Sequence, residues 1–417
     1  MPSVLLITDI PFWEQRMGNH QRLWSLCRYL AGQDFGLQIA FTSVLETPPA
    51  VFTEGCLANV PLIRYRTART RRPRWLRALR KTRLVARSVA QRAGLVGEKK
   101  RHVPRLPDFV DADLEAWVAS LCRKIRPSAV ILEYVHLAHL AEAVRSVEPK
   151  LRVLLDAHDV MSDRHATFVA DGRADEDWIS ITLDEEKDAL NGVDCVLAMQ
   201  DDDARRFREI LDGPEVLTVT HAPEVDRDAP WEREPKEQTV FLFVGGRGPA
   251  NLDAVRVLLE EVWPRLPQDI AAITVLQIAG GICDLLQSEQ LPSGVELLGR
   301  FDALADVYRD ADVVLNPVRV GGGLKIKNVE ALCLGKALVT TASGAMGLAG
   351  GVAQEALWVR KTADEFAVAV GQLTADADGR GELCRRGRRF AESMFTPEAA
   401  YCGLQRVLRP EERHPIG

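Results

Sequence analysis

Short apolar runs alternate with longer stretches of helical period along the whole chain, in two series. Residues 4–9 form the first run, followed by Pro11 and Gly18, a strand and its loop; 37–43, 129–133, 152–156 and 195–199 repeat the pattern. Between them, 112–124, 137–146 and 175–190 have the spacing of helices. Such alternation predicts a parallel sheet covered by helices on both faces. Residues 222–237, APEVDRDAPWEREPKE, break the rhythm; rich in proline and charge and poor in apolar side chains, they read as a linker. A second series opens with a strand over 239–244 and a helix over 251–263 capped by Asn251, and continues through 272–279, 295–298, 313–317, 337–341 and 357–359. Thr396 followed by Pro397 starts a last helix, 397–408.

The expected fold is therefore α/β, two doubly wound domains that face each other and bind ligand at the carboxyl ends of their strands. A length of 417 residues agrees with two cores rather than one. The boundaries fall at 1–225 and 226–395, with 396–417 as a closing helix. The chain holds no run of 18 apolar residues, and the first residues enter a strand without a basic leader, so neither a membrane span nor a signal peptide is expected. Eight cysteines are scattered without a CxxC pair, which predicts reduced, buried thiols and a cytoplasmic setting.

Charge changes this picture in one place. Residues 64–105 carry sixteen Lys or Arg and one acid, a local charge of +15 that leaves the remainder near −21. Trp75, Leu79, Ala86 and Val89 sit near helical spacing within it, so the segment reads as a basic amphipathic helix inserted in the first domain. An anionic membrane surface suits such a helix. Nucleic acid suits it less, because only Tyr65 and Trp75 are aromatic.

Candidate chemistry concentrates in 316–347, NPVRVGGGLKIKNVEALCLGKALVTTASGAMG. Gly321, Gly322 and Gly323 bare three successive backbone amides in front of a helix N-terminus, a place that favours anions. Lys325 and Lys327 add positive charge in the first turn, where cations are unfavourable unless an anion is bound. Glu330, a turn further on, can accept hydrogen bonds from a sugar diol. Diphosphate plus ribose is the nucleotide half of a sugar nucleotide. A second glycine loop, 245–248, offers Gly246 and Arg247, whose fork matches phosphate oxygens. Asp201, Asp202 and Asp203 open a helix and read as capping acids, and no His/Cys/Asp cluster has metal-ligand spacing.

Pro317, the triple glycine, Lys325, Lys327, Glu330-Ala331, Gly335-Lys336 and the strand Leu338-Val339-Thr340 together resemble the donor-binding segment of retaining glycosyltransferases of family 4, group 1, which have the GT-B fold. The resemblance departs at Gly322, where many members carry the first of two glutamates eight positions apart, the one that contacts the transferred sugar. It covers 239–400 well and the N-terminal half more loosely. It implies an N-terminal acceptor-binding domain, a C-terminal nucleotide-sugar domain and a final helix crossing back to the first. It further implies transfer of a sugar from a nucleotide-sugar donor to a glycan or lipid-linked acceptor hydroxyl with retention, without a metal or other cofactor, in glycoconjugate synthesis on the cytoplasmic side, with peripheral membrane attachment through 64–105.

On that resemblance Arg247, Lys325 and Lys327 stabilise the leaving diphosphate, with Gly246 and Gly321–Gly323 lending amides. Glu330 holds the ribose, Arg300 and Phe301 border the nucleobase, and His158 lies beside the transferred sugar. Gly18 matches the family glycine facing the diphosphate; Arg16, Asp159 and Arg22 are candidates for acceptor contacts. His136 could sit at the cleft mouth. Two other readings stay open: a GT-B epimerase or hydrolase acting on a sugar nucleotide without acceptor, and a non-catalytic membrane- or nucleic-acid-binding protein on a GT-B scaffold.

Overall fold

The computed structural model describes residues 2–33, 35–43, 52, 55–66, 102–225, 237–301 and 304–408. Most of the basic segment, with Trp75 and Leu79, and most of the linker lie outside the described residues.

The first series of apolar runs forms a seven-stranded parallel sheet in the order β3-β2-β1-β4-β5-β6-β7. Its strands are β1 Ser3–Thr8, β2 Gly36–Phe41, β3 Leu62–Arg64, β4 Ala129–Glu133, β5 Arg152–Asp156, β6 Cys195–Ala198 and β7 Glu215–Thr218. The second forms a six-stranded parallel sheet in the order β10-β9-β8-β11-β12-β13. Its strands are β8 Thr239–Val244, β9 Thr274–Ala279, β10 Val295–Gly299, β11 Val313–Asn316, β12 Ala337–Thr340 and β13 Trp358–Val359. Helices cover both faces of each sheet, so the central strands are buried on both sides and read as unbroken apolar runs rather than alternating ones; every residue of β4, β8, β11 and β12 is buried. Each sheet carries one apolar core per face. The short edge strands β3 and β7 carry exposed or half-buried polar residues and gave no apolar run to recognise.

Some helices differ from their sequence pattern for local reasons. Asn251 does not cap its helix: Gly248 is the N-cap, Pro249 takes the first helical position, and the helix passes into a π-turn at Val257–Val262. The expected helix at 175–190 begins only at Leu183, where Thr182 and Glu185 form a capping box; before it stands a single 3-10 turn, Ala174–Glu176. The final helix is two short ones, Pro397–Tyr401 and Leu404–Leu408. Their buried side chains Tyr401, Leu404, Val407 and Leu408 join the N-terminal core beside Leu23, Leu26 and Leu30, and the Tyr401 hydroxyl lies 2.7 Å from Ser25 Oγ. The last described helices thus pack on the N-terminal domain. Six of the eight cysteines are buried, and all are free. Among the described residues no helix is long and apolar enough to cross a membrane.

In both sheets the order reverses beside the first strand, between β1 and β4 and between β8 and β11. Ligands of doubly wound sheets bind outside such switch points. The loops after these strands face each other across the interdomain cleft.

Candidate functional site

The C-terminal half of the cleft is built by two turns, one after β8 and one after β11. The second leads through the triple glycine into the helix Ile326–Cys333, with Lys325 as its N-cap. The Lys325 ammonium turns back on its own loop and donates to the carbonyls of Gly321, Gly322 and Gly323 at 3.1, 2.6 and 2.8 Å. An ammonium has three N–H groups, and all three are engaged there. Lys325 therefore curls the loop in this state rather than presenting a free charge.

Lys327, one position into the helix, donates to Asn251 Oδ1 at 2.7 Å and lies 4.4 Å from the Phe243 ring centroid. Asn251 in turn donates to the carbonyl of Gly246 at 3.2 Å, which ties the two glycine loops together. Burial pushes the Lys325 ammonium down to about 8, and burial together with Lys325 pushes Lys327 down to about 7. Glu330 is also buried; burial raises it to about 7 against the hydrogen bond from the Tyr308 hydroxyl (3.3 Å) and the charge of Lys327. Two desolvated cations and a desolvated acid share a single helical turn. Nearer solvent, Arg247 and Arg300 share the carboxylate of Asp284 at 3.8 and 2.5 Å.

The N-terminal half is made by the loop after β1, the end of β4 and the end of β5. Gly18 is the first residue of the helix Gly18–Gly32, and a Cβ there would lie 3.1 Å from Ile326 Cγ1. Its lack of a side chain lets the two domains' helices meet end to end. Arg16 is exposed and pairs with Glu14 at 3.4 Å. Arg22 is not free for an acceptor: fully buried, it forks onto Asp156 at 3.2 and 3.1 Å and also donates to the Thr220 carbonyl.

His158 follows β5 at φ 61°, a left-handed conformation costly for any residue but glycine. Its Nε2 lies 2.5 Å from Glu133 Oε1, and its ring stacks on Tyr134 at 4.0 Å and 12°. Tyr134 also has a positive φ, 66°. Asp159 packs against Gly323, where a Cβ would overlap its Oδ1, so the glycine makes room for an acid from the other domain. Glu133, Asp156 and His158 present ligand atoms within 4.8 Å of one another, a set that suits a metal ion by type. Arg22 already holds both oxygens of Asp156.

The cleft between these halves has a volume of ≈ 690 Å³, within the range of small-molecule sites. It gathers Arg16, Gly18, His158, Asp159, Gly246, Arg247, Arg300, Phe301, Gly322, Lys325, Lys327 and Glu330. Gly321 and Gly323 instead line a second interdomain cavity of ≈ 310 Å³, and Gly322 lies on the wall of both. His136 is bonded to Asp9 at 3.1 Å and packs on Phe109 and Trp178. It borders a third cavity within the N-terminal domain.

Asn251, Asp284, Tyr308, Glu133 and Tyr134 were not anticipated as parts of the site. Glu133 carried a signal, a lone carboxylate closing the apolar run AVILE. The others act through contacts that only the fold creates.

Residues 238–376 match the family model described as Glycosyl transferases group 1. No curated protein sequence matches the chain. Among solved structures, sucrose-phosphate synthase from Thermosynechococcus elongatus is similar at 17% identity and a TM-score of 0.67, covering 98% of both chains. HepE of Anabaena, in complex with UDP-glucose, matches at 11% identity and a TM-score of 0.65, over 98% of this chain and 99% of that one. The apo structure of OtsA matches at 12% identity and a TM-score of 0.64, over 98% and 100%. At such identities the likeness establishes the fold: the two facing Rossmann-like domains form the GT-B arrangement.

Proposed function

We propose that the chain, whose residues 238–376 match the group 1 glycosyl transferase model, moves a hexose from a nucleotide-sugar donor to an acceptor hydroxyl, with retention of configuration and with its own cations in place of a metal. One observation carries this reading. Lys327, Glu330, Arg247, Gly246 and Gly322 line one interdomain cleft, with His158 on it from the other domain. A desolvated ammonium and an orphaned helix N-terminus are complementary to a pyrophosphate, and each charge-assisted hydrogen bond to it is worth about 1.5–3 kcal/mol. Contacts that strengthen as the glycosidic bond breaks lower the barrier rather than only tightening binding.

In this reading Lys327 and Arg247 meet the diphosphate, Lys325 keeps the loop curled so that its amides face the phosphates, and Glu330 accepts the ribose hydroxyls. Arg300 and Phe301 border the base, and Gly18 lets the closed domains touch. Retention without a protein nucleophile calls for front-face attack, the leaving phosphate taking the acceptor's proton. The acceptor is a glycan or lipid-linked sugar approached from the side of Arg16 and Asp159. Residues 64–105 draw the cytoplasmic protein to an anionic membrane face. HepE in its UDP-glucose complex is a GT-B neighbour with a uridine nucleotide, which makes UDP-sugars the first donors to try.

A thermal-shift screen over UDP-, GDP-, ADP- and dTDP-sugars, followed by turnover with and without membrane extract, tests the proposal. One sugar nucleotide should raise the melting temperature and be consumed only when acceptor is added. Consumption that ignores acceptor would make the chain an epimerase or hydrolase. No stabilisation by any of them would end the enzymatic reading.

A further inference from the structure

His158 is held in a way that contact with a sugar alone does not require. Its ring is clamped between a stacked tyrosine and a buried acid, on a backbone that favours glycine. Glu133, at the end of β4, is fully buried; one oxygen takes His158 Nε2 and the other, Oε2, has no partner. A second buried acid, Asp156, approaches Nε2 at 3.9 Å. Two carboxylates thus stand behind one imidazole, and the single fixed cation among them, Arg22, is forked onto Asp156. With Nε2 turned inward, Nδ1 is the ring nitrogen left to face the cleft that His158 lines.

Resting on the proposed glycosyl transfer, we infer that Glu133 is a positioning residue. It fixes the His158 ring through Nε2 and holds it as an imidazolium. Nδ1 then enters the cleft as an N–H donor to an oxygen of the transferred sugar or the leaving phosphate, and does not act as a base toward the acceptor hydroxyl.

The charges around the ring agree in sign. Burial alone would lower His158, but Asp156 and Glu133 outweigh it and raise the ring above its ordinary value, with Arg22 opposing them. Glu133 is itself raised by burial and by Asp156, against His158 and Arg22. Tyr134 contributes its ring face. Across the cleft the charged groups are Arg247, Arg300, Lys325, Lys327 and Glu330, and Arg16 and Asp159 line its near side. A neutral histidine with Nε2–H on a carboxylate would offer a lone pair at Nδ1. A doubly protonated one offers a donor with positive charge, which suits an oxygen gaining negative charge as the bond to phosphate breaks.

The test is ring-nitrogen NMR of the full chain carrying ¹⁵N-labelled histidine, with the His158 signals identified by their loss in His158→Gln. Both His158 nitrogens should stay protonated well above the usual imidazole range of about 6.5. Glu133→Gln should return the ring to a neutral tautomer at neutral pH. With the sugar nucleotide selected by thermal shift, Nδ1 should move on binding, and Glu133→Gln should lower kcat on the order of tenfold or more with KM little changed. A wild-type ring that is neutral at neutral pH overturns the inference whatever binds, and that titration decides alone should Glu133→Gln not fold. An unchanged ring in a folded Glu133→Gln overturns it too. A charged ring that no UDP-, GDP-, ADP- or dTDP-sugar perturbs overturns the ligand-facing half, and places that failure in the glycosyl-transfer reading rather than in the pairing.

Discussion

The two walls of the cleft handle buried charge in opposite ways. On the N-terminal side of this cleft two buried cations already have counter-charges: Arg22 on Asp156, His158 on Glu133. On the C-terminal side Lys327 is buried against an amide oxygen and an aromatic face, and burial brings it down to about 7. A wall whose charges are satisfied is rigid before ligand arrives. A buried ammonium whose direct partners are an amide oxygen and an aromatic ring gains most from an anion. On the proposed transfer, this difference would set the anionic leaving group on the C-terminal wall and leave the N-terminal one to hold geometry.

The largest effect should come from breaking the satisfied wall. Arg22→Ala leaves Asp156 buried and uncompensated, beside Glu133. Removing one partner of a buried pair costs about 3–5 kcal/mol, and the cation–π contact with Tyr401, 5.9 Å from the guanidinium, goes with it. Urea unfolding should show the free energy of unfolding falling by that amount. A loss below about 1 kcal/mol would mean that the network is not a structural unit.

Next in size is Lys327→Ala. It should weaken sugar-nucleotide binding by about 1.5–3 kcal/mol while leaving the unfolding midpoint nearly unchanged or raised, because a desolvated ammonium is removed. Lys325→Ala should lower turnover at least about tenfold, but by loosening the glycine loop, a loss that calorimetry with nucleotide diphosphate measures. Full affinity in Lys327→Ala would take the diphosphate off this wall.

How far the sequence revealed these walls follows from how local each one is. The strand, three glycines, two lysines and Glu330 lie within one short stretch, so the chain's order alone put the C-terminal chemistry in one turn. What it did not show is where Lys325 points. Only the curled loop reveals that its three donors return to the carbonyls of 321–323. The N-terminal wall joins Arg22, Glu133, Asp156 and His158 from three separate places in the chain, the helix Gly18–Gly32, β4 and the end of β5. Parallel pairing of β4 with β5 sets Glu133 beside Asp156, and no periodicity in the sequence carries that register. Arg22 reads from the sequence as a candidate for acceptor contacts for the same reason: the acid that it pairs with is more than a hundred positions away.

Proton linkage sharpens the contrast at intermediate size. Free Lys327, brought down to about 7, loses its charge as pH rises through that value. A bound diphosphate would restore the charge and raise the group again, so binding above about 7 takes up a proton. Affinity should therefore fall with rising pH across this range. Glu330, raised to about 7, gains negative charge over the same range and adds to the fall for the phosphates. Calorimetry in two buffers of different ionisation enthalpy should show proton uptake at pH near 8 and little near 6. Binding that tightens with pH would reverse the assignment of Lys327 as the phosphate's cation.

The smallest expected change lies where the walls touch. Gly322 borders both interdomain cavities. Its φ is not positive, and a Cβ there would meet Arg164 Cβ at 3.4 Å, an ordinary contact, so a side chain fits without strain. Gly322→Glu should shift stability by no more than about 0.5 kcal/mol. It would place a carboxylate eight positions before Glu330, beside the Arg164 side chain and on the cleft wall. Sugar-nucleotide affinity should then change with the sugar and not with the nucleotide: the free nucleoside diphosphate binds as before, and the ranking of donor sugars alters. Loss of diphosphate affinity in this variant would mean that position 322 belongs to the phosphate-binding wall, and that the split between an anion-holding and a geometry-holding side is drawn in the wrong place.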